Sequence, residues 1–566
     1  MDRQKQIELV ASRKQVSALI IGGGINGLGL LRELALQGID ALLVEKSDFC
    51  SGASAASTRI IHGGLRYLEN REFRLVKESL RERNRLLNNA PHYVRPLPTT
   101  IPIFSWTAGM FHALGKFLGF RVPPHEKGAV VFKIGLWLYD RYAGRQNPMP
   151  RHRFSSRQAA HRLRPQLPPE VVCTGTYYDA CITYPERLGL ELALDAEQAS
   201  SDVHALNYVR ATGTDGEEVM LEDEISARSF QVKPRVVINA SGPWIDFTNR
   251  DLQRPTQYIG GTKGSHIVLD NPELLQATQG EMLYFVNADD RICLFYPAGG
   301  KVIAGSTDIP VEDPEAALCE ENEVDYILES VGRVFPTVRL RRSQIVYRFC
   351  GVRPLPRSDA STPGEISRDH ICAVLPAGNG LDFPIYSLIG GKWTTFRAFA
   401  EQVADKVLSH LGRPRLANSE NLPIGGGRDF PRSATEMSAW LASLQSKYGL
   451  PLKRLAVLLD RYGTRAHGVA EFVCSAPDEP LRMLPEYSRR EILFMAEREK
   501  IVHLEDLVFR RTMMALLGEL SSELLVELAS VLSPDMEWSE EKAGQEIERT
   551  LRLLAKAHGV KLVKGT

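Results

Sequence analysis

Gly22, Gly24 and Gly27 are the first residues along the chain whose type and spacing could do chemistry. Gly22 permits a tight turn, Gly24 lets a pyrophosphate approach the main chain at a helix start, and Gly27 lets helix and strand pack closely. Glu45, about twenty residues on, can accept hydrogen bonds from a ribose diol. Together these residues predict a dinucleotide site. The fingerprint does not separate NAD from FAD. Its place at the start of the chain favours FAD, because large flavoproteins often open on the adenosine-binding unit and close the site with downstream residues.

Positioning those residues requires a βαβ unit, and the pattern supplies one. Ser17 to Ile21 is a short apolar run, Leu30, Leu31, Leu34 and Ala35 follow at helical spacing, Gly38 closes the helix, and Ala41-Leu42-Leu43-Val44 is a second buried strand. Two later segments can return to the site. Val236-Val237-Ile238-Asn239 runs into the turn Ala240-Ser241-Gly242, and Ile389-Gly390-Gly391-Lys392-Trp393-Thr394-Thr395 opens a helix carrying Ala398, Ala400 and Val403. A glycine pair before a helix exposes N–H groups that suit a flavin pyrimidine oxygen or a phosphate.

The 566 residues exceed one core, and 69 basic against 69 acidic residues remove the electrostatic footprint of a nucleic-acid-coating protein. Eight scattered cysteines without metal-ligand spacing predict reduced thiols in the cytoplasm and no metal site. The opening residues lack signal-peptide character, and Pro96 to Gly115 is too rich in proline and hydroxyls to span a membrane. Charge is nevertheless uneven: Ala113 to Leu167 holds eleven Lys and Arg against Glu126 and Asp140, a local excess of +9. Trp106, Phe111, Phe117, Phe120, Phe132, Trp137 and Tyr139 lie within or just before it, and Phe111, Leu114 and Leu118 share a helical face. Such a stretch suits either an anionic lipid surface or a solvated basic face. From Arg432 to Val560 the chain reads as amphipathic helices, among them Arg489 to Glu499 and Ser521 to Leu532, joined through Pro423-Ile424-Gly425-Gly426-Gly427.

Several blocks in order resemble the FAD-dependent, respiratory glycerol-3-phosphate dehydrogenases. They are Ile21-Gly22-Gly23-Gly24-Ile25-Asn26-Gly27, Ile61-His62-Gly63-Gly64-Leu65-Arg66-Tyr67-Leu68, Lys263-Gly264-Ser265-His266-Ile267-Val268, Gly351-Val352-Arg353-Pro354-Leu355, Gly390-Gly391-Lys392-Trp393-Thr394-Thr395-Phe396-Arg397, and Leu504-Glu505-Asp506-Leu507-Val508-Phe509-Arg510-Arg511-Thr512. The resemblance implies an α/β fold: a Rossmann-like FAD-binding domain interleaved with a mixed-sheet substrate domain, plus a helical C-terminal domain. The FAD parts would span about 15–100, 170–260 and 345–415, the substrate and membrane-facing parts about 100–170 and 260–345, and the helical domain 416–566. It also implies oxidation of sn-glycerol 3-phosphate to dihydroxyacetone phosphate, with electrons passed to a membrane quinone from the cytoplasmic face of the inner membrane. A homodimer is left open.

A phosphomonoester dianion needs fixed cations, and Arg66, Arg353 and Lys392 stand in three separate matched blocks. His266 is the expected base for the hydroxyl proton, His62 the competing one, and Tyr67 a substrate hydrogen-bonder or pocket wall. The expected cofactor set is Gly22, Gly24, Gly27, Glu45, Ser57, His62, Gly63, Gly242, Gly391, Lys392, Trp393 and Thr394. The chain departs from the family pattern at Leu28, Leu31, Glu33 and Gln37, along Tyr178 to Arg187, and at Phe396. The first group predicts altered flavin-side packing, the others a reshaped substrate wall that would admit a longer polyol phosphate. Two rival readings follow: a flavoenzyme for a hydroxy or amino acid, and a non-catalytic flavoprotein scaffold.

Overall fold

The computed structural model describes residues 3–64, 72–108, 128–144, 149–287, 291–358 and 368–562. Runs such as Val16–Ile21 lack in/out alternation and therefore need cover on both faces, which a parallel sheet provides. Accordingly Gln15–Ile21 lies between Ala41–Glu45 and Ser229–Asn239, parallel to both. The main sheet runs Ile371–Leu375, Ile385–Ile389, Ser229–Asn239, Gln15–Ile21, Ala41–Glu45, Val203–Asn207. The helix Ile25–Leu36 packs on it with Leu28, Leu30, Leu31 and Leu34 fully buried.

A second, mixed sheet carries Thr262–Leu269 between Ile345–Arg353 and Lys301–Gly305. It continues through Ile292–Ala298, Met282–Val286 and Val94–Ile103 to Cys173–Ile182. Four strands thus leave the segments that the sequence assigns to the FAD part: Ile60–Ile61, most of Val94–Ile103, Cys173–Ile182 and Ile345–Arg353 are all paired here. The long ladders of the last two, to Val94–Ile103 and to Thr262–Leu269, fix them in this sheet. The helix Glu321–Val334 covers one face with Val324, Ile327, Val331 and Val334, a 3–4–3 spacing behind a reciprocal cap between Glu320 and Glu323.

Beyond residue 430 the described chain is helical: Ala434–Tyr448, Leu452–Tyr462, Ala466–Cys474, Arg489–Arg498, Ser522–Leu532 and Glu540–His558. This helical part is fastened to the dinucleotide side by buried charges. Asp48 accepts from Arg510 at 2.6 Å and from Arg511 at 2.7 Å, and Arg187 meets Glu499 at 2.6 Å. Charges this deep persist only when paired and hydrogen-bonded.

Candidate active site

At the first turn Gly22 sits at φ +113°, where a Cβ would lie 2.6 Å from the Ala240 carbonyl oxygen; a Cβ on Gly27 would lie 2.0 Å from that of Gly22. Both positions exclude a side chain. Gly24 differs: its added Cβ would meet only Ser54 Oγ, at 3.3 Å, so the helix start is left open. Glu45 Oε2 accepts from Gly23 N at 2.7 Å and Oε1 from Ser47 N at 2.9 Å. Burial raises its carboxyl, and each oxygen keeps a lone pair for a diol. Gly242, at φ +61°, has open space where a Cβ would stand. An open cradle at the helix start and a carboxylate at the next strand end fit the pyrophosphate and ribose of FAD.

The downstream glycine pair closes on this turn. Gly390 and Gly391 sit at φ +74° and +87°; Gly390 O accepts from Asn26 Nδ2 at 3.1 Å, and a Cβ on Gly391 would press into the same amide at 2.6 Å. Trp393 Nε1 donates to Ser54 O at 3.1 Å, and Thr394 Oγ1 accepts from His62 N at 3.2 Å. Lys392 Nζ donates to Ser79 Oγ at 2.8 Å; burial pushes its ammonium down to about 7, Glu78 and Asp369 acting against it. Asn26 Oδ1 and Thr395 Oγ1 are buried without a hydrogen-bond partner among the described residues, a polar lining of the kind a bound group completes.

Gly63 N is held by Asp179 Oδ1 and Tyr139 Oη, both at 3.0 Å, and the same carboxylate oxygen accepts from Tyr139 at 2.6 Å and from Arg83 at 3.0 Å. Successive amides, His62 and Gly63, are therefore pinned by side chains from distant elements. Burial, with Lys392 and Arg368 adding to it, pushes the His62 imidazole down to about 3.

His266 lies on Thr262–Leu269, 1 % exposed and stacked 4.8 Å from Phe349. Its Nε2 meets Thr58 Oγ1 at 3.0 Å, while Nδ1 has no partner among the described residues. Burial, reinforced by Arg353, pushes this imidazole down to about 3, so it is neutral at pH 7. Arg353 ends the adjacent strand and donates to Asp308 Oδ1 at 3.0 Å, Ser306 Oγ at 3.1 Å and Thr307 O at 3.1 Å. Gly264 leaves the room for it, since a Cβ there would lie 2.2 Å from Arg353 Nη2. Arg368 reaches the other oxygen of Asp308 at 3.3 Å, and its charge acts on His62, Lys392 and Arg353 alike.

Of the expected substrate residues, the structure gathers His266, Arg353 and Lys392 in one charged neighbourhood, while Arg66 and Tyr67 lie outside the described residues. Ser57 Oγ accepts from Arg59 N beside Thr58. Sequence reading missed Arg368 and Asp308, which stand in no patterned block; only their charge could have drawn notice. Of the departures expected to reshape the substrate wall, four side chains are turned to the framework instead. Phe396 is 1 % exposed and packs on Gly29, Cys181 is a paired strand residue, Glu186 binds Arg59 at 2.9 Å and Arg187 binds Glu499. These side chains serve framework packing. Nor do Glu33 and Gln37 alter the flavin side: Glu33 pairs with Arg415, and Gln37 holds the backbone of Leu416 and Ala417.

This geometry, a glycine-turn dinucleotide site closed by a second glycine turn beside a mixed sheet, defines a flavin-dependent oxidoreductase fold. Comparison with known proteins agrees. The family model described as FAD dependent oxidoreductase matches residues 17–394, and that of the C-terminal domain of alpha-glycerophosphate oxidase matches residues 417–543. A glycerol-3-phosphate dehydrogenase of Synechocystis sp. is 34% identical over 559 residues, covering 94% of this chain and 95% of its own. One from Pseudomonas aeruginosa is 31% identical, covering 88% and 91%. The solved glycerol-3-phosphate dehydrogenase from Bacillus halodurans, complexed with FAD, superposes with a TM-score of 0.74 at 22% identity, covering 100% and 99%. The chain belongs to the FAD-dependent glycerol-3-phosphate dehydrogenase family.

Proposed function

We propose that this protein oxidises sn-glycerol 3-phosphate to dihydroxyacetone phosphate. The observation that carries the reading is the pair Arg353 and Arg368 facing one carboxylate beside a neutral, buried His266, with Lys392 in electrostatic reach. Guanidinium forks bind phosphate oxygens bidentately, so the two arginines hold the ester and Lys392 adds a third cation. Bound FAD supplies the hydride acceptor. Thr58 fixes the His266 ring through Nε2, and Nδ1 takes the proton of the secondary hydroxyl as the carbonyl forms. A bound dianion offsets the field of Arg353 on the ring, raising its basicity when substrate is present. The Gly63 amide, pinned by Asp179 and Tyr139, helps to hold His62 beside Thr394 and closes that side of the site.

For the acceptor we propose a membrane quinone, reached by one-leaflet attachment at the cytoplasmic face. On the helix Ala129–Ala143, Val130, Ile134 and Trp137 are exposed at i, i+4, i+7 with Arg141 on the same face, and Trp106 is 58% exposed. Exposed aromatics beside cations support lipid contact. No helix among the described residues is long and apolar enough to cross a membrane. The remainder of the aromatic stretch, 109–127, lies outside the described residues.

Turnover with a soluble quinone analogue tests the reading. Dihydroxyacetone phosphate should accumulate from glycerol 3-phosphate, whereas glycerol should be inert. Equal rates with the two alcohols would refute the phosphate reading, and equal rates with dioxygen alone would refute the quinone.

A further inference from the structure

The carboxylate between the two arginines is placed where a substrate phosphate must go, and its surroundings keep it there. Thr307 is 2% exposed; its Oγ1 accepts from Ser265 N at 2.9 Å and donates to Glu323 Oε1 at 2.6 Å, and Glu323 in turn binds Lys263 at 2.9 Å. The turn Ser306-Thr307-Asp308 is therefore anchored to the sheet and to the helix behind it. Arg353 is fixed independently by Ser306 Oγ and Thr307 O, so its orientation does not depend on Asp308. Yet the three charged side chains are open to solutes, with 26%, 26% and 23% of Arg353, Arg368 and Asp308 exposed. A carboxylate needed to shape the fold would be deeper; this one faces the site.

We propose that Asp308 is a built-in competitor for the substrate's phosphate and thereby a specificity-determining residue, an inference that rests on the function proposed above. Two guanidiniums and one carboxylate sum to +1. A monoanion entering beside Asp308 meets a largely neutralised pair and gains little, whereas a phosphate dianion outbids the carboxylate for both forks. Asp308 thus rejects carboxylate-bearing alcohols, the substrates of the rival hydroxy-acid reading, by occupying the place where their single charge would bind. Selectivity obtained by a repulsive group costs affinity for the correct ligand too. Asp308 should therefore weaken phosphate binding in the native protein.

The test is calorimetric titration of flavin-loaded protein with inorganic phosphate and, separately, with glycerate, for the native chain, Asp308→Asn and Asp308→Ser. Both variants should bind phosphate about tenfold more tightly, one like-charge contact having been relieved, and glycerate more tightly by a larger factor, so that the phosphate-to-glycerate preference falls. Asp308→Glu, which keeps the charge, should retain the native preference. A purely structural role would loosen binding of every anion. Unchanged or weaker phosphate binding in both neutral variants overturns the proposal, as does failure of both to fold with flavin, because an exchangeable competitor is dispensable to the fold. Reduction of the native flavin by glycerol 3-phosphate is measured in parallel. Its absence would defeat the proposed function whatever the anion titrations show, while its presence with no gain in the variants would defeat only this inference.

Discussion

Lys392 offers the sharpest pH-dependent prediction. Burial pushes its ammonium, which donates to Ser79, down to about 7, so Nζ loses its charge close to neutral pH. A hydrogen bond to a charged group is worth about 1.5–3 kcal/mol, hence about 10- to 100-fold in binding at 1.4 kcal/mol per tenfold. The second-order constant for flavin reduction by glycerol 3-phosphate should therefore fall above about pH 7 and level off about 10- to 100-fold lower. His62 and His266, pushed down to about 3, contribute nothing to that limb. Lys392→Met should lower the constant about 10- to 100-fold at about pH 6 and abolish the alkaline fall, while Lys392→Arg, charged throughout, should abolish the fall and keep more of the activity. The assay is anaerobic stopped-flow reduction across pH. Stability supplies an independent sign: with the folded group below its unfolded value of 10.5, the unfolded chain binds more protons between about 7 and 10.5, so this lysine makes stability rise with pH there. Lys392→Met should remove that rise. A Lys392→Met enzyme that retains the native alkaline limb would refute the reasoning.

Other substitutions probe separate links. Arg353→Ala should raise KM at least tenfold, and His266→Ala should slow flavin reduction roughly 10²- to 10⁴-fold with little change in KM, both read from rapid-reaction kinetics. Gly391→Ala forces a Cβ into Asn26 at φ +87° and should cost about 2–3 kcal/mol with loss of flavin on gel filtration; Asn26→Ala in the same chain should recover part of it. Asp48→Asn leaves Arg511 buried beside a neutral partner and should cost about 3–5 kcal/mol, seen as earlier thermal unfolding and faster proteolysis near residue 500. Flotation with anionic vesicles at low salt should fail for the combined Ile134→Ser and Trp137→Ser variant; flotation equal to native would place the lipid contact elsewhere.

The βαβ unit was legible because its signals are local: an apolar strand, a glycine turn, a helical stripe and Glu45 all fall within about thirty residues. The second glycine turn and the strand of His266 were legible for the same reason. Arg368 and Asp308 were not, since what makes them functional is a meeting between a turn after one strand and a loop more than fifty residues later. Asp179, Tyr139 and Arg83 share a network spanning almost a hundred residues, and no periodicity encodes it. The resemblance put Cys173–Ile182 and Ile345–Arg353 in the FAD part; only the ladders they form assign them to the second sheet. Departures from family pattern misled in the opposite direction, because Phe396 and Arg187 face the framework rather than the substrate side.

The central claim is that this protein holds a phosphorylated alcohol against its flavin and removes hydride from it. Anaerobic mixing of the purified yellow protein with one equivalent of sn-glycerol 3-phosphate, followed by visible absorbance, measures this most directly. The phosphate ester should bleach the flavin, and glycerol and glycerate should not. A flavin that stays oxidised in the ester, or that bleaches equally with all three, would contradict it.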